Sequence, residues 1–327
     1  MCSISTGNKN TQDKADDGIY PFYVRSQTVE RINSWTFDGE AILTAGDGVG
    51  VGKVFHHSYG KIGVHQRVYI LSDFKCDANY LFHFFSSKFY NRVKRMSAKN
   101  SVDSVRKEMI TDMPLSLPCH KEQVKIGHML SLLDERIATQ NKIIDKLQTL
   151  IKGIAHKVSK QGKPNIRLSE CLLCTSSTLQ ESDVAEVGAY PVYGANGIVG
   201  YLDTYNTTSE AIYIIKDGSG VGAVSCVKGK CSATGTLNIL QTKEGFSLRY
   251  LYFILKVFSF EPYKTGMAIP HIYFKDYGKA KIYCPSNQLQ CKYADLLSKI
   301  EQKATAEQKI LDNLCSQKQY LLCQLFI

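Results

Sequence analysis

One block of sequence occurs twice in this chain. Gly18-Ile19-Tyr20-Pro21-Phe22-Tyr23 returns as Gly188-Ala189-Tyr190-Pro191-Val192-Tyr193. Glu40-Ala41-Ile42 with Asp47-Gly48-Val49-Gly50-Val51-Gly52 returns as Glu210-Ala211-Ile212 with Asp217-Gly218-Ser219-Gly220-Val221-Gly222. Both repeats lie 170 residues on (188 − 18 and 210 − 40). Tyr80-Leu81-Phe82 against Tyr250-Leu251-Tyr252 keeps that offset, and Pro118 against Pro285 moves it to 167 (285 − 118). A repeat this long, running through a globular stretch into the segment that follows, must fold as two similar units with separate cores. Such a design suits a bipartite reader or a self-paired scaffold better than a single-pocket enzyme.

Within each unit, short apolar runs are punctuated by Gly, Asn and Asp: Ala41-Ile42-Leu43-Thr44, Arg67-Val68-Tyr69-Ile70-Leu71, Ala211-Ile212-Tyr213-Ile214-Ile215 and Leu237-Asn238-Ile239-Leu240. These predict strands joined by tight turns. An aromatic helical stretch, Tyr80 to Phe85 and its copy Tyr250 to Leu255, is expected between the later strands.

After Pro118 the periodicity changes to a heptad seam: Ile126, Leu130, Leu133, Ile137, Gln140, Ile144, Leu147, Ile151, Ile154 and Val158. Adding 167 lands on Tyr293, Leu297, Ile300, Ala304, Glu307, Leu311, Leu314, Lys318, Leu321 and Leu325, in the same phase. Each pattern predicts a helix of about 40 residues, roughly 60 Å long. The predicted fold is α+β, with mainly β domains at 1–118 and 159–285 and spacer helices at 119–158 and 286–327. An apolar stripe of that length needs cover, so the helices are expected to pair as an antiparallel coiled coil with the two β domains at its opposite ends. A dimerisation arm is the competing reading of the same helices.

The formal charge is +10, and residues 1–118 (15 basic, 12 acidic) and 159–285 (13 basic, 10 acidic) are each +3. That excess fits a polyanion partner and is also common among soluble proteins. Eleven scattered cysteines read as reduced thiols. Cys171 and Cys174 form a C-x-x-C that Cys226 and Cys231 could complete as a zinc set, but Leu172-Leu173 reads as core and no metal is expected. Met1-Cys2-Ser3-Ile4-Ser5 does not read as a signal peptide, and no apolar run approaches ~18 residues, so a cytoplasmic protein without membrane contact is expected.

The most enzyme-like string, Thr44 to Lys53, fails both phosphate-loop patterns. A P-loop needs Gly where Asp47 stands and Ser or Thr where Val54 stands; G-x-G-x-x-G needs Gly at Val51 or Lys53. The reading that remains is a turn between two strands, with glycines supplying positive φ. No H-E-x-x-H, G-x-S-x-G or base-methylating Asn-Pro-Pro-Tyr string occurs, and a lone histidine such as His83 on an aromatic helix reads as packed.

Polar and basic groups do gather on predicted loops just before the last strand of each unit. Arg92, Lys94, Arg95, Lys99, Asn100 and Ser101 form one group, and Lys264, Thr265, Gly266 and His271 the other. Lys61 and Arg67, with Lys228 and Lys230, form a second basic edge, interleaved with Tyr193, Tyr201 and Tyr205, and Asn196 is a further candidate. Lys and Arg attract phosphates, whereas amide, hydroxyl and guanidinium groups held at fixed geometry read base edges. Any one of these residues is as readily a solvated surface group; as clusters they point to DNA.

The ordered set G-x-Y-P-x-Y, E-A-I, D-G-x-G-V-G and Thr265-Gly266-Met267-Ala268-Ile269-Pro270-His271-Ile272, each unit followed by Pro and a heptad helix, resembles the specificity subunit of type I restriction-modification systems. The resemblance covers nearly the whole chain. It implies two target recognition domains, each reading half of a split site in double-stranded DNA. It further implies spacer helices that dock two methyltransferase subunits and the motor-nuclease (restriction) subunits. Two departures stand out. The second unit opens with Asn165-Ile166-Arg167-Leu168-Ser169-Glu170-Cys171-Leu172, whereas the first begins near the equivalent of that segment's end, so a shortened first domain is expected. Ser101-Val102-Asp103-Ser104-Val105 stands where the second copy has Ala268 to Ile272, so the half-sites should differ.

The leading expectation is therefore a non-catalytic DNA-reading subunit without a cofactor of its own. The resemblance implies that S-adenosylmethionine, ATP and Mg belong to its partners, and base flipping and methyl transfer need a pocket this chain does not present. The alternative is a coiled-coil scaffold whose two β domains bind protein or glycan.

Overall fold

In the computed structural model residues 1–97 and 104–326 are described. The chain forms two compact units, Met1–Gln140 with Ile310–Ile327, and Asn141–Lys309.

The first unit holds two four-stranded sheets. Strands β1 (Ser3–Thr6), β2 (Tyr20–Tyr23), β3 (Glu30–Ile32), β4 (Phe37–Asp38), β5 (Ala41–Ala45), β6 (Phe55–Ser58), β7 (Lys61–Val64) and β8 (Val68–Ser72) order as β1-β8-β5-β6 and β3-β2-β7-β4. The first sheet is antiparallel; in the second, β2 and β7 run parallel. Leu43, Ile70, Val64 and Tyr23 form the core between the sheets. On the outer face of the first sheet, Ile42 and Leu71 pack on Leu81, Phe85, Phe89 and Val93 of α1 (Ala78–Met96), joined by Met109 and Ile110 of α2 (Lys107–Thr111). No Gly or Pro interrupts residues 78–96, and Asp77 caps the start by accepting from the Tyr80 N–H at 2.7 Å.

The second unit repeats this plan. After α3 (His120–Ser159) come β9 (Ile166–Arg167), α4 (Leu168–Cys171), β10 (Leu172–Ser176), β11 (Tyr190–Gly194), β12 (Gly197–Leu202), β13 (Ala211–Ile215), β14 (Val224–Val227), β15 (Ser232–Ala233) and β16 (Leu237–Thr242). They order as β10-β16-β13-β14 and β12-β11-β15, again with one parallel pair, β11 with β15. The unit continues with α5 (Leu248–Lys256), α6 (Phe274–Tyr277) and β17 (Lys281–Ile282), whose partner is β9. The aromatic helices α1 and α5 follow the last strand of the main sheet in each unit; α5 lies between β16 and β17, as expected, whereas α1 does not lie between strands. Among the described residues the first unit has no strand after α1.

The long helices α3 and α7 (Asn287–Leu325) bury their seams as the heptads predict. All ten positions of each seam are buried or half-buried. In the first unit Ile126, Leu130 and Leu133 meet Leu321, Leu325 and Phe326, and Asp134 pairs with Lys318. Within the second, Ile151, Ile154 and Val158 share a core with Tyr293, Leu297 and Ile300, and Tyr293 donates to Gln161 at 2.7 Å. The segments run antiparallel in both units, since rising numbers on α3 meet falling numbers on α7. The remaining seam positions are Ile137, Gln140, Ile144 and Leu147 on α3 and Ala304, Glu307, Leu311 and Leu314 on α7.

Each long helix is also stapled at its start by a buried glutamine. Gln123 donates to the Pro118 carbonyl (2.8 Å) and accepts from the Asp77 N–H (3.1 Å). Gln290, 167 residues on (290 − 123), donates to Pro285 (2.9 Å) and accepts from Ser247 (3.0 Å). Both therefore tie the spacer to the cap of the aromatic helix. Among the described residues no helix is long and apolar enough to cross a membrane.

Candidate nucleic-acid interface

The repeated D-G-x-G-V-G string is the turn between β5 and β6 in one unit and between β13 and β14 in the other. Gly48 (φ 77°) and Gly52 (φ 65°), with Gly218 (φ 92°) and Gly222 (φ 90°), adopt the left-handed backbone that glycine tolerates. A Cβ at Gly52 or Gly222 would stand 3.1 Å from the ring of Tyr90 or Phe260, so close packing restricts these positions as well.

The aspartate that opens each turn anchors neighbouring segments. Asp47 accepts from Arg25 Nη1 at 2.9 Å and Arg67 Nη1 at 2.7 Å. Asp217 meets His271 Nδ1 at 2.7 Å. Backbone bonds reinforce the junction, from Val105 N to Gly46 O (2.7 Å) in one unit and from Gly218 N to Pro270 O (3.0 Å) in the other. The 264–271 segment closes on itself through two Thr265–His271 backbone bonds of 2.9 and 2.7 Å, turning at Gly266 (φ 89°). Met267 and Ile269 stand exposed at its tip. Thr265 and Gly266 are exposed too, whereas Lys264 is paired with Glu261 at 2.5 Å.

A second group lies on the smaller sheets. Lys61 Nζ stands 5.2 Å from the Trp35 ring centroid, and Lys230 Nζ stands 4.9 Å from Tyr205 and 5.9 Å from Tyr190. Lys228 is exposed, 3.7 Å from Glu210. Asn196 is exposed at the β11–β12 turn, Tyr201 is half-buried on β12, and Tyr193 packs edge-on against Tyr213.

The basic residues expected on a loop at 92–95 are instead the last turns of α1. Arg92 is turned inward, donating through Nε to Met109 O (2.8 Å) and through Nη2 to Asp112 O (2.7 Å). Lys94 and Arg95 remain exposed. Lys99, Asn100 and Ser101 lie outside the described residues. Arg67 is likewise committed to Asp47, so the expected surface cations divide into committed ones (Arg67, Arg92, Lys228, Lys264) and available ones (Lys61, Lys94, Arg95, Lys230). Not singled out from sequence were Arg25, Trp35, Asp47, Asp217, Gln123 and Gln290. The two aspartates could have been, because the repeat retains them where the loops around them diverge.

Burial pushes the Cys171 and Cys226 thiols up to about 12 and Cys174 up to about 11, so all three stay protonated. Among the described residues no three Cys, His, Asp or Glu side chains converge as a metal set would. His83 is buried against Ser131 and Asp134, and burial pushes its imidazole down to about 4. What remains at the surface is a set of cations, hydroxyls, amides and aromatic faces on rigid strand-borne turns, which suits phosphate and base-edge contact.

A family model described as the type I restriction modification DNA specificity domain matches residues 1–149 and again 171–315. The specificity subunit of the type I restriction enzyme EcoDI of Escherichia coli is 26% identical over 158 residues, 48% of this chain and 35% of that protein's length. A putative type I specificity subunit of Mycoplasma genitalium is 24% identical over 281 residues, 79% of this chain and 73% of its own. In fold, a crystal structure of a type I restriction-modification S subunit from M. genitalium aligns with a TM-score of 0.76 at 20% identity, covering 100% of this chain and 94% of that one.

Proposed function

The chain belongs to the type I restriction-modification DNA specificity family, and from that premise we propose that it is the DNA-reading subunit of a type I complex, each unit reading one half of a split duplex site. The observation that carries this reading is a frame built twice with different surfaces. The same glycine turn and aspartate anchor recur, but Asp47 holds two arginines where Asp217 holds the histidine of an apolar-tipped loop. Equivalent frames with unlike exposed side chains are what two different half-sites require.

On this reading the chain is not itself catalytic. Two methyltransferase subunits, which bind S-adenosylmethionine, dock on the spacer helices and flip and methylate adenine. Motor-nuclease subunits supply the ATP- and Mg-dependent restriction step, and the assembly works in the cytoplasm.

The purified chain alone should transfer no methyl groups and should gain that activity when the methyltransferase subunit is added. Its affinity for duplex DNA should fall linearly in log-log form with salt, by about 0.9 per phosphate neutralised. Methyl transfer by the lone chain, or binding indifferent to salt, would overturn the reading; salt indifference would favour a scaffold for protein or glycan.

A further inference from the structure

The two lysine–aromatic contacts occupy one structural position. Tyr20 is opposite Ile32 across β2–β3, as Tyr190 is opposite Leu202 across β11–β12. A few residues later, the N–H groups of Thr36 and Thr207 donate to the Ile62 and Cys231 carbonyls, both at 2.9 Å. The connection from Ile32 to Thr36 therefore corresponds to that from Leu202 to Thr207, and each carries one aromatic ring, Trp35 or Tyr205.

The lysines correspond as well. Phe22 is opposite Gly63 and Val192 opposite Ser232, which places Lys61 and Lys230 each two residues ahead of matched positions (63 − 61 and 232 − 230). The sequence offset of 170 hides this, because it pairs Lys61 with Cys231. The step from Ala41 to Gly63 (63 − 41 = 22) is one residue longer than the matching step from Ala211 to Ser232 (232 − 211 = 21), which accounts for the slip.

A surface cation–π contact contributes little to folding, so stability gives weak reason to keep Trp35 46% and Tyr205 38% exposed. Among the described residues neither Lys61 nor Lys230 forms an ion pair. Each unit thus presents an ammonium with no counter-ion, resting on an exposed ring borne by a loop on a rigid sheet, which is the composition of a phosphate contact rather than a packing contact.

We propose that Trp35 with Lys61, and Tyr205 with Lys230, are matched clamps on the DNA backbone, one in each unit. The ammonium leaves the ring for a phosphate oxygen, and the uncovered face packs against the adjoining deoxyribose. The clamps hold each unit on the duplex whatever its sequence, leaving the more divergent loops to read bases. This rests on the DNA-reading function proposed above.

Trp35 is the only tryptophan in the chain, so its emission reports the first clamp without a label. The test titrates the full chain with a fluorescent random-sequence duplex of about 40 base pairs at low salt, following DNA anisotropy and Trp35 emission together. The expected result is an emission change with the same midpoint as the anisotropy. Lys61→Gln and Lys230→Gln, both on exposed side chains, should each lower the log-log salt slope by about 0.9, and together by about 1.8. Salt-dependent binding with unmoved Trp35 emission and an unchanged slope in both variants would overturn the clamps and leave the DNA-reading function standing. No DNA binding at any salt would overturn both.

Discussion

His271 Nδ1 lies 2.7 Å from Asp217 Oδ1, joining the exposed 264–271 loop to the glycine turn of the second unit. The loop's other ties, the Thr265–His271 bonds and the Lys264–Glu261 pair, hold its base to itself and to the preceding turn, so this side-chain pair and the Gly218–Pro270 backbone bond fix the direction in which Met267 and Ile269 project.

Replacing Asp217 by Ala should therefore loosen one reading loop only. Losing the bond should cost about 1–2 kcal/mol of binding, about a tenfold loss of affinity, confined to discrimination at one half-site. Competition binding with duplexes altered in either half-site measures this. A loss spread over both half-sites would mean the loop does not belong to one unit's reading.

The basic turns of α1 should separate by role. Arg92→Ala removes two hydrogen bonds to backbone carbonyls and should lower thermal stability by about 1–3 kcal/mol while leaving the salt slope of DNA binding unchanged. Replacing Lys94 and Arg95 by Ala should leave stability within ~0.5 kcal/mol and reduce that slope by up to about 0.9 for each DNA phosphate those side chains neutralise. Melting curves and salt titrations on the same variants distinguish the two.

Buried Gln290 satisfies the carbonyl of Pro285 and the N–H of Ser247, both half-buried residues, where α7 meets the cap of α5. Gln290→Ala leaves both groups unpaired and should destabilise the second unit by about 2–4 kcal/mol. Gln290→Glu keeps the acceptor and removes the donor, so it should lie between Ala and the parent near neutral pH. Urea unfolding gives the order.

His83 should make the first unit acid-sensitive. Burial holds its imidazole down at about 4, against the raising effect of Asp134 3.8 Å away, while the unfolded chain takes up the proton near 6.5. Between those values the unfolded state binds more protons, so the stability present above about 6.5 is lost as pH falls toward 4. The full loss is roughly 3 kcal/mol. Comparing urea midpoints near pH 7 and near pH 4.5, the parent should lose more stability than His83→Leu, whose side chain does not titrate.

The seam was legible because a heptad stripe of that length has to be covered by another helix, whether in the same chain or in a second copy. Every seam position from Ile126 to Val158 and from Tyr293 to Leu325 is buried or half-buried, and Lys318 is accommodated by pairing with Asp134. The glycine turns were legible for a similar reason, since the failed phosphate-loop patterns left only positive φ to explain them. The direction of individual cations was not. Arg92 lies on the same turn of helix as exposed Lys94 and Arg95, and only the nearby Met109 and Asp112 carbonyls, brought back by α2, turn it inward. The partners of Asp47 and Asp217 come from 20 to 54 residues away, a distance over which no periodicity reaches.

Genome-wide detection of methylated adenine in cells carrying this chain with its methyltransferase subunit bears most directly on the proposal of a bipartite reader. The expected outcome is a single split motif, two short specified blocks separated by a gap of fixed length. A contiguous motif, a gap of variable length, or methylation dependent on only one block would contradict it.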